Sequence, residues 1–119
     1  MMNETTLNAK ILSTRLGIED HGILTAYIMI AHEHGHQGFG GYQFDYRPHK
    51  KIIYTEKCAH FVRRVLEVVG KRNWEDLPET ACRVREINGY DTKLCAIGNF
   101  IEDDWFYPEK EFERYCNGE

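Results

Sequence analysis

The chain has 119 residues, of which 42% are hydrophobic and 13% aromatic, and this suits one globular domain with a single core. The composition excludes a disordered chain, a collagen-like repeat and a disulfide-rich scaffold. The formal net charge is −4. Residues 102–119 hold seven acidic residues against two basic ones, a net charge of −5, so the rest of the chain is nearly neutral. Nucleic acid is therefore the less favoured partner, because nonspecific binding needs a continuous basic surface.

The N-terminal residues contain no basic segment followed by an apolar run, and no apolar stretch is long enough to span a membrane. We therefore expect a cytoplasmic protein with no membrane partner. Residues 1–6 are polar, and we expect them to be frayed. The four cysteines form no CxxC pair and are expected to stay reduced. They are Cys58, Cys82, Cys95 and Cys116.

The first half of the chain predicts three strands. Residues 23–31 have almost no polar side chain on either face and predict the central strand of a sheet. Alternating apolar and polar residues over 7–18 predict a preceding strand, joined to it by a tight turn at residues 20–22. A glycine-rich loop over 35–42 follows, and the alternation over 42–46 predicts the third strand.

The clearest local pattern is a helix over residues 55–69. Apolar residues recur there at spacings of three and four, Thr55 suits its N-cap, and Gly70 suits its left-handed C-terminal end. Residues 52–54 form a further short strand or lead directly into the helix.

The second half predicts two strands, 81–87 and 93–101, joined by a turn at Asn88-Gly89, and a short helix over 109–115. The predicted fold class is α+β. We expect a mostly antiparallel sheet of about five strands in the order β-β-β-α-β-β, with one main helix packed on one face and a short C-terminal helix. Residues 1–119 are interpreted as a single domain that ends in an acidic segment, 109–119.

The glycine-rich loop is the first candidate binding site. Exposed backbone amides in such a loop can approach an anion closely. The candidate contacts are Gly38, Phe39, Gly40, Gly41 and Tyr42. The segment is not a phosphate-binding loop, because no lysine and hydroxyl residue open a helix after it. A wide connection or bulge between two strands explains the same glycines, so both interpretations stay open.

The histidines beside this loop raise the question of a metal site. The spacing of His32, His34 and His36 would place three imidazoles on one face of a strand, as a zinc or nickel site requires. The neighbouring glycines disfavour a regular strand at that point, and solvated loop histidines are common. We therefore predict no metal ligand and no cofactor.

An acid-base cluster, Glu19, Asp20 and His21, lies at the predicted turn before residue 23. Such a cluster supports general acid-base chemistry, which makes a small hydrolase or transferase one alternative function. Turn and cap residues explain it better, and no nucleophile motif is present, so no catalytic residue is predicted. His21 stays a candidate contact for a ligand or partner.

The remaining candidate contacts are Arg83, Arg85 and Trp105. Two arginines on one face of a strand suit a phosphate or carboxylate, because guanidinium groups bind these anions in fork geometry. Trp105 suits stacking on a base or insertion into a partner's pocket. A solvated sheet face and an aromatic anchor for the core are the alternative interpretations.

Six segments of the chain form one pattern: LGIEDHGILTAY (16–27), QGFGGY (37–42), FVRRVLEVVG (61–70), WEDL (74–77), AIG (96–98) and DWF (104–106). This pattern resembles a family of small proteins encoded by bacteriophages and prophages, over residues 9–108. The family has no settled chemistry, so the resemblance assigns no catalytic residues.

The resemblance implies a phage accessory protein that acts by binding in the host bacterial cell and is not an enzyme. Such a protein antagonises antiviral defence by engaging a host defence protein, as anti-CRISPR inhibitors do, or by sequestering a small phosphate-bearing nucleotide signal. A nucleic-acid-associated accessory protein is an alternative, alongside the small hydrolase or transferase. Exposed strand edges also favour a homo-oligomer.

Overall fold

The computed structural model describes residues 3–19, 23–40, 45–46, 53–54, 56–88 and 93–113. The strands within these ranges are β1 (Asn3–Glu19), β2 (Ile23–His32), β3 (Gly35–Gly40), β4 (Asp45–Tyr46), β5 (Ile53–Tyr54), β6 (Ala81–Asn88), β7 (Lys93–Gly98) and β8 (Trp105–Phe106). The helices are α1 (Lys57–Val69), a short 3-10 helix (Trp74–Asp76) and α2 (Pro108–Glu111). This content confirms the α+β class with one main helix, although the strands exceed the five predicted.

The main sheet has six strands in the order β3-β2-β1-β6-β7-β8, and all neighbours are antiparallel. Strands β4 and β5 form a separate pair. The middle of the sheet is therefore β1 and β6, and the prediction that residues 23–31 form the central strand is wrong. A continuous apolar run indicates that a strand is buried, but it does not indicate the position of that strand in the sheet. Strand β2 is buried, and it lies next to the edge strand β3.

Strand β1, with 17 residues, joins the two halves of the sheet. Its residues 3–10 pair with β6, and its residues 9–19 pair with β2. The register with β2 shifts between Ile11 and Ser13, which marks a bulge where a strand bends. The expectation of a frayed start fails for residues 3–6, since these polar residues are paired with a segment about 80 positions later.

Helix α1 packs its apolar stripe on one face of the sheet. Phe61 is fully buried, and its ring lies 6.0 Å from the ring of Phe39 on β3 and 5.8 Å from that of Phe106 on β8. The predicted C-terminal end is confirmed: Gly70 has φ 87° and its N–H donates to the Leu66 carbonyl at 2.9 Å. The predicted N-cap, Thr55, lies outside the described residues.

Residues 35–40 of the glycine-rich segment form a strand and not a loop, and residues 41–42 lie outside the described residues. β3 pairs with β2 from His32 opposite Gly35 to Tyr27 opposite Gly40, and residues 33–34 make the turn. Glycine has a low strand propensity, so the composition of this segment does not predict a strand. Of the strand predicted over 42–46, residues 45 and 46 are described, and they pair with β5. The predicted turns at 20–22 and at Gly89 lie outside the described residues.

The end of the domain also differs from expectation. β7 stops at Gly98 and not at residue 101, and a loop over 99–104 leads to β8, which pairs back on β7. Helix α2 covers Pro108–Glu111, and the predicted end at residue 115 lies outside the described residues. Among the described residues, no helix combines the length and apolar character needed to cross a bilayer.

Candidate functional site

Strand β3 lines one wall of a cavity of about 230 Å³. The facing wall comes from β7 and α2, where Lys93 Nζ donates a hydrogen bond of 3.1 Å to Glu109 Oε1. Gly38 opens onto free space, since a Cβ added there meets no atom within 4 Å. Among the candidate contacts in the glycine-rich segment, Gly38 is thus placed where a small ligand has room.

Phe39 packs in the core and Gly40 is exposed, and because both also line this cavity, their role as ligand contacts stays a prediction. Alternation along β3 turns the Phe39 side chain inward, where it is buried against Phe61 and Phe106. Gly40 has φ 110°, and a Cβ there would lie 2.7 Å from both the Ala26 carbonyl oxygen and Phe61 Cζ. This glycine lets α1 approach the sheet closely.

Some candidate contacts lie outside the described residues. They are His21, Gly41 and Tyr42, and Asp20 of the acid-base cluster joins them. Both the ligand role of the turn and the hydrolase or transferase alternative therefore stay predictions.

Arg83, Arg85 and Trp105 do come together, on the face of the sheet opposite the core. The indole of Trp105 lies across Gly98, its partner on β7, and reaches both guanidinium groups. The guanidinium carbon of Arg85 lies 3.8 Å from the centre of the indole, and that of Arg83 lies 5.1 Å from it. Cation–π stacking of this kind fixes the ring between the two arginines.

Both arginines also donate hydrogen bonds within the chain. Arg83 Nε donates to the Asn99 carbonyl at 2.8 Å, and a terminal nitrogen donates to the Glu102 carbonyl at 2.9 Å. Arg85 donates to Thr6 Oγ1 at 3.2 Å and to the Tyr107 hydroxyl. The arginine face is therefore largely committed to holding β8 and the loop before it.

The loop over 99–104 is tightly organised. The side chain of Asn99 accepts hydrogen bonds from the backbone N–H groups of Ile101 (2.9 Å) and Glu102 (2.8 Å), and its amide donates to the Val68 carbonyl at the end of α1 (3.0 Å). The Asn99 N–H donates to the Asp104 carbonyl at 3.0 Å, which closes the loop.

This organised loop presents two large apolar side chains to solvent. Phe100 is 45% exposed and Ile101 is 80% exposed. Sequence reasoning missed them because the alternation over 93–101 assigned both to a strand. The signal that would have found the loop is Gly98-Asn99, a pair typical of a strand end or turn.

A second cluster lies at the edge of the core face, where His32, His34 and Glu86 bring one ligand atom each within 4.8 Å of one another. His36 is exposed and is not part of this cluster. Sequence reasoning missed Glu86. The signal was present, since the alternation over 81–87 places this acidic residue on the same face as Cys82 and Val84.

Two further groups have a structural role. Glu111 of α2 accepts hydrogen bonds from His60 Nε2 (2.8 Å) and Arg64 Nε (3.0 Å), and thereby ties α2 to α1. Cys58, Cys82 and Cys95 are free thiols. Burial raises the pKa of Cys82 to about 12, so this thiol stays protonated at neutral pH.

The fold and these surfaces define a small α+β protein in which a six-stranded antiparallel sheet carries one main helix and one hydrogen-bonded loop with two exposed apolar side chains. Comparison with protein-family models, with curated proteins and with solved structures found no match to this chain.

Proposed function

We propose that this chain is a bacteriophage or prophage accessory protein that acts by binding a host defence protein, without catalysis, and that it does so through the loop 99–104. The phage origin is supported by the resemblance of the segments described above. The binding role is supported by one observation, the exposure of Phe100 and Ile101 on a loop that several hydrogen bonds tie to the fold.

A rigid loop is a better binding element than a flexible one, because little conformational freedom is lost when a partner docks. Asn99 and Arg83 supply that rigidity through bonds to the loop backbone. Neither bond involves the side chains of Phe100 or Ile101. These two apolar groups are therefore held ready to enter a pocket, as central hot-spot residues do.

The charges beside the apolar tip indicate the chemistry of the partner. Glu102, Asp103 and Asp104 follow directly and are exposed, although Asp103 also accepts a hydrogen bond from the Trp105 indole at 3.0 Å. Complementary charge steers association and fixes orientation. The partner surface that fits is an apolar pocket bordered by lysine or arginine.

The geometry favours a protein partner over a nucleotide signal. Arg83 and Arg85 do not line the cavity beside Gly38 and already donate hydrogen bonds within the chain, so the arginines and the glycine strand β3 do not hold one phosphate together. The cavity beside Gly38 contains the ion pair of Lys93 with Glu109, whose carboxylate opposes an anionic ligand.

The test compares three tag-free baits in lysate from a bacterium that carries defence systems: the wild-type chain, F100S/I101S and L16S/I18S. Leu16 and Ile18 are also exposed apolar residues, but they lie on β1, so L16S/I18S is a matched control for surface hydrophobicity. We expect a host protein that binds the wild type and L16S/I18S. With that protein purified, calorimetry should show binding to F100S/I101S weakened by at least about 30-fold.

The functional arm measures phage plating on a host with that defence system, in which the wild type and L16S/I18S should rescue plaques and F100S/I101S should not. A partner that binds F100S/I101S as tightly as the wild type would contradict the role of the loop. Native mass spectrometry covers the alternative: a retained nucleotide-sized mass, with no protein partner, would favour the nucleotide interpretation instead.

A further inference from the structure

The turn between β2 and β3 carries two histidines toward a buried acidic residue on β6. His32 is the last residue of β2 and pairs with Ala9 of β1, while Glu86 pairs with Thr5 farther along the same strand. The turn runs from His32 toward this part of β1. His34 Nδ1 therefore lies 3.0 Å from Glu86 Oε1.

The environment of Glu86 is unusual for a carboxylate. Its side chain is only 2% exposed, and its second oxygen, Oε2, is buried without a hydrogen-bond donor among the described residues. Burying a carboxylate without full compensation is unfavourable, and buried charges are normally paired or bound to metal ions. One histidine contact, to a ring that is 53% exposed, leaves half of this carboxylate unsatisfied.

The first histidine is held in a defined orientation. The backbone N–H of His34 donates to His32 Nδ1 at 3.1 Å, so the proton of this neutral ring lies on Nε2, which donates to Gln37 Oε1 at 2.7 Å. The lone pair of His32 is therefore on Nδ1, which can bind a metal ion once the His34 N–H turns away from it. The Nε2–H group keeps its hydrogen bond to Gln37 Oε1, which orients the ring as the second hydrogen bond of a metal-bound histidine commonly does.

We propose that His32, His34 and Glu86 form a binding site for a divalent transition-metal ion of the zinc class. Two imidazole nitrogens and one carboxylate are the donor set that such ions accept, often with an open position for water, whereas Mg²⁺ and Ca²⁺ prefer oxygen ligands alone. An ion at this site neutralises the buried Glu86 carboxylate, whose hydrogen-bond partner among the described residues is the half-exposed His34 ring.

The distances fit this assignment with a small adjustment. Ligand atoms at zinc distances from a tetrahedral ion lie about 3.3 Å apart. The pair His34 Nδ1 and Glu86 Oε1, at 3.0 Å, is already close to this, and the full set lies within 4.8 Å. His34 is half-exposed, so its ring can close the remaining gap and an ion can enter from solvent.

The test uses tag-free, full-length protein stripped with a chelator and then titrated with Zn²⁺, Co²⁺ or Mg²⁺. We expect one equivalent of Zn²⁺ by calorimetry, visible absorption bands with Co²⁺, and no binding of Mg²⁺. Zinc at about 100 times its dissociation constant should raise Tm by about 10 °C.

Three variants decide whether these residues hold the ion. H34A and E86Q should each weaken zinc binding by about 100-fold or more and remove the Co²⁺ bands. The matched control is H36A, which removes an exposed histidine of β3 outside the cluster and should bind like the wild type. H34A alters a half-exposed side chain, so it keeps the test valid even where E86Q changes the fold, which circular dichroism checks.

Equal affinities of H34A and the wild type would overturn the proposal, as would wild-type protein without a stoichiometric zinc site. An equal loss in H36A and H34A would also overturn it, because it would assign the binding to surface histidines in general.

Discussion

Substituting Gly98 by alanine tests the contact that anchors β8. Gly98 lies opposite Trp105 in the β7–β8 pair, and the indole passes over it to reach the two arginines. A Cβ at this position would lie 2.5 Å, 2.6 Å and 2.9 Å from three atoms of the indole. The ring must therefore move away from the sheet in G98A.

The size of the effect follows from this geometry. Carbon atoms pack at about 3.5–4.0 Å, so the ring must shift by about 1 Å. Such overpacking costs about 1–3 kcal/mol, and weaker stacking on Arg83 and Arg85 adds about 0.5–1 kcal/mol for each. The lower entropy of the unfolded alanine chain offsets about 0.4–1 kcal/mol. We expect G98A to lower the free energy of unfolding by about 1–4.5 kcal/mol, or Tm by about 4–18 °C for a chain of this length.

The assay is urea unfolding followed by far-ultraviolet circular dichroism, which does not depend on the fluorescence of the displaced tryptophan. G38A is the matched control, since a Cβ at Gly38 meets nothing within 4 Å, and its stability should stay within about 0.5 kcal/mol of the wild type. In a W105A background, G98A should have almost no effect. The reasoning is refuted if G98A is as stable as the wild type, or if it destabilises W105A equally.

Two further predictions concern the ends of the core. E111A should lower the free energy of unfolding by about 1–2 kcal/mol, because His60 and Arg64 both lose the carboxylate that accepts their hydrogen bonds. Calorimetry should show a smaller loss of stability at high salt, which screens the charges. An unchanged Tm in E111A would contradict this prediction. Cys82, with its pKa raised to about 12, should resist iodoacetamide at pH 8 in the native protein and react after denaturation. Peptide mapping checks this, and rapid native labelling of Cys82 would show that the site opens.

Local patterns predicted the fold class well where one segment decides its own structure. The spacing in α1 and the position of Gly70 gave the helix and its C-terminal end. The sequence-based predictions were wrong where the structure of a segment depends on its pairing with a distant segment. Residues 3–6 look like a polar tail until β6 pairs with them, and glycine-rich β3 is a strand because β2 supplies its partner.

The candidate sites show the same division. Arg83, Arg85 and Trp105 do share a surface, as the sequence suggested, but the structure uses them to hold the loop before β8. Phe39 was predicted to lie in a loop. It lies on β3 instead, where side chains alternate between the two faces of the sheet and that of Phe39 points into the core. Glu86 carries no local motif; its burial and its proximity to His34 depend on the order of the strands.

The two-sided pairing of β1 has a consequence for synthesis. The hairpin of β1 with β2 joins neighbouring segments and can form early, whereas residue 3 meets its partner only when residue 88 is available. Closing so long a loop carries a large entropic penalty and slows folding. During translation, the N-terminal half of β1 therefore remains without its partner strand β6 until most of the chain has left the ribosome. In this interval the unpaired edge of β1 is a site at which the nascent chain can aggregate.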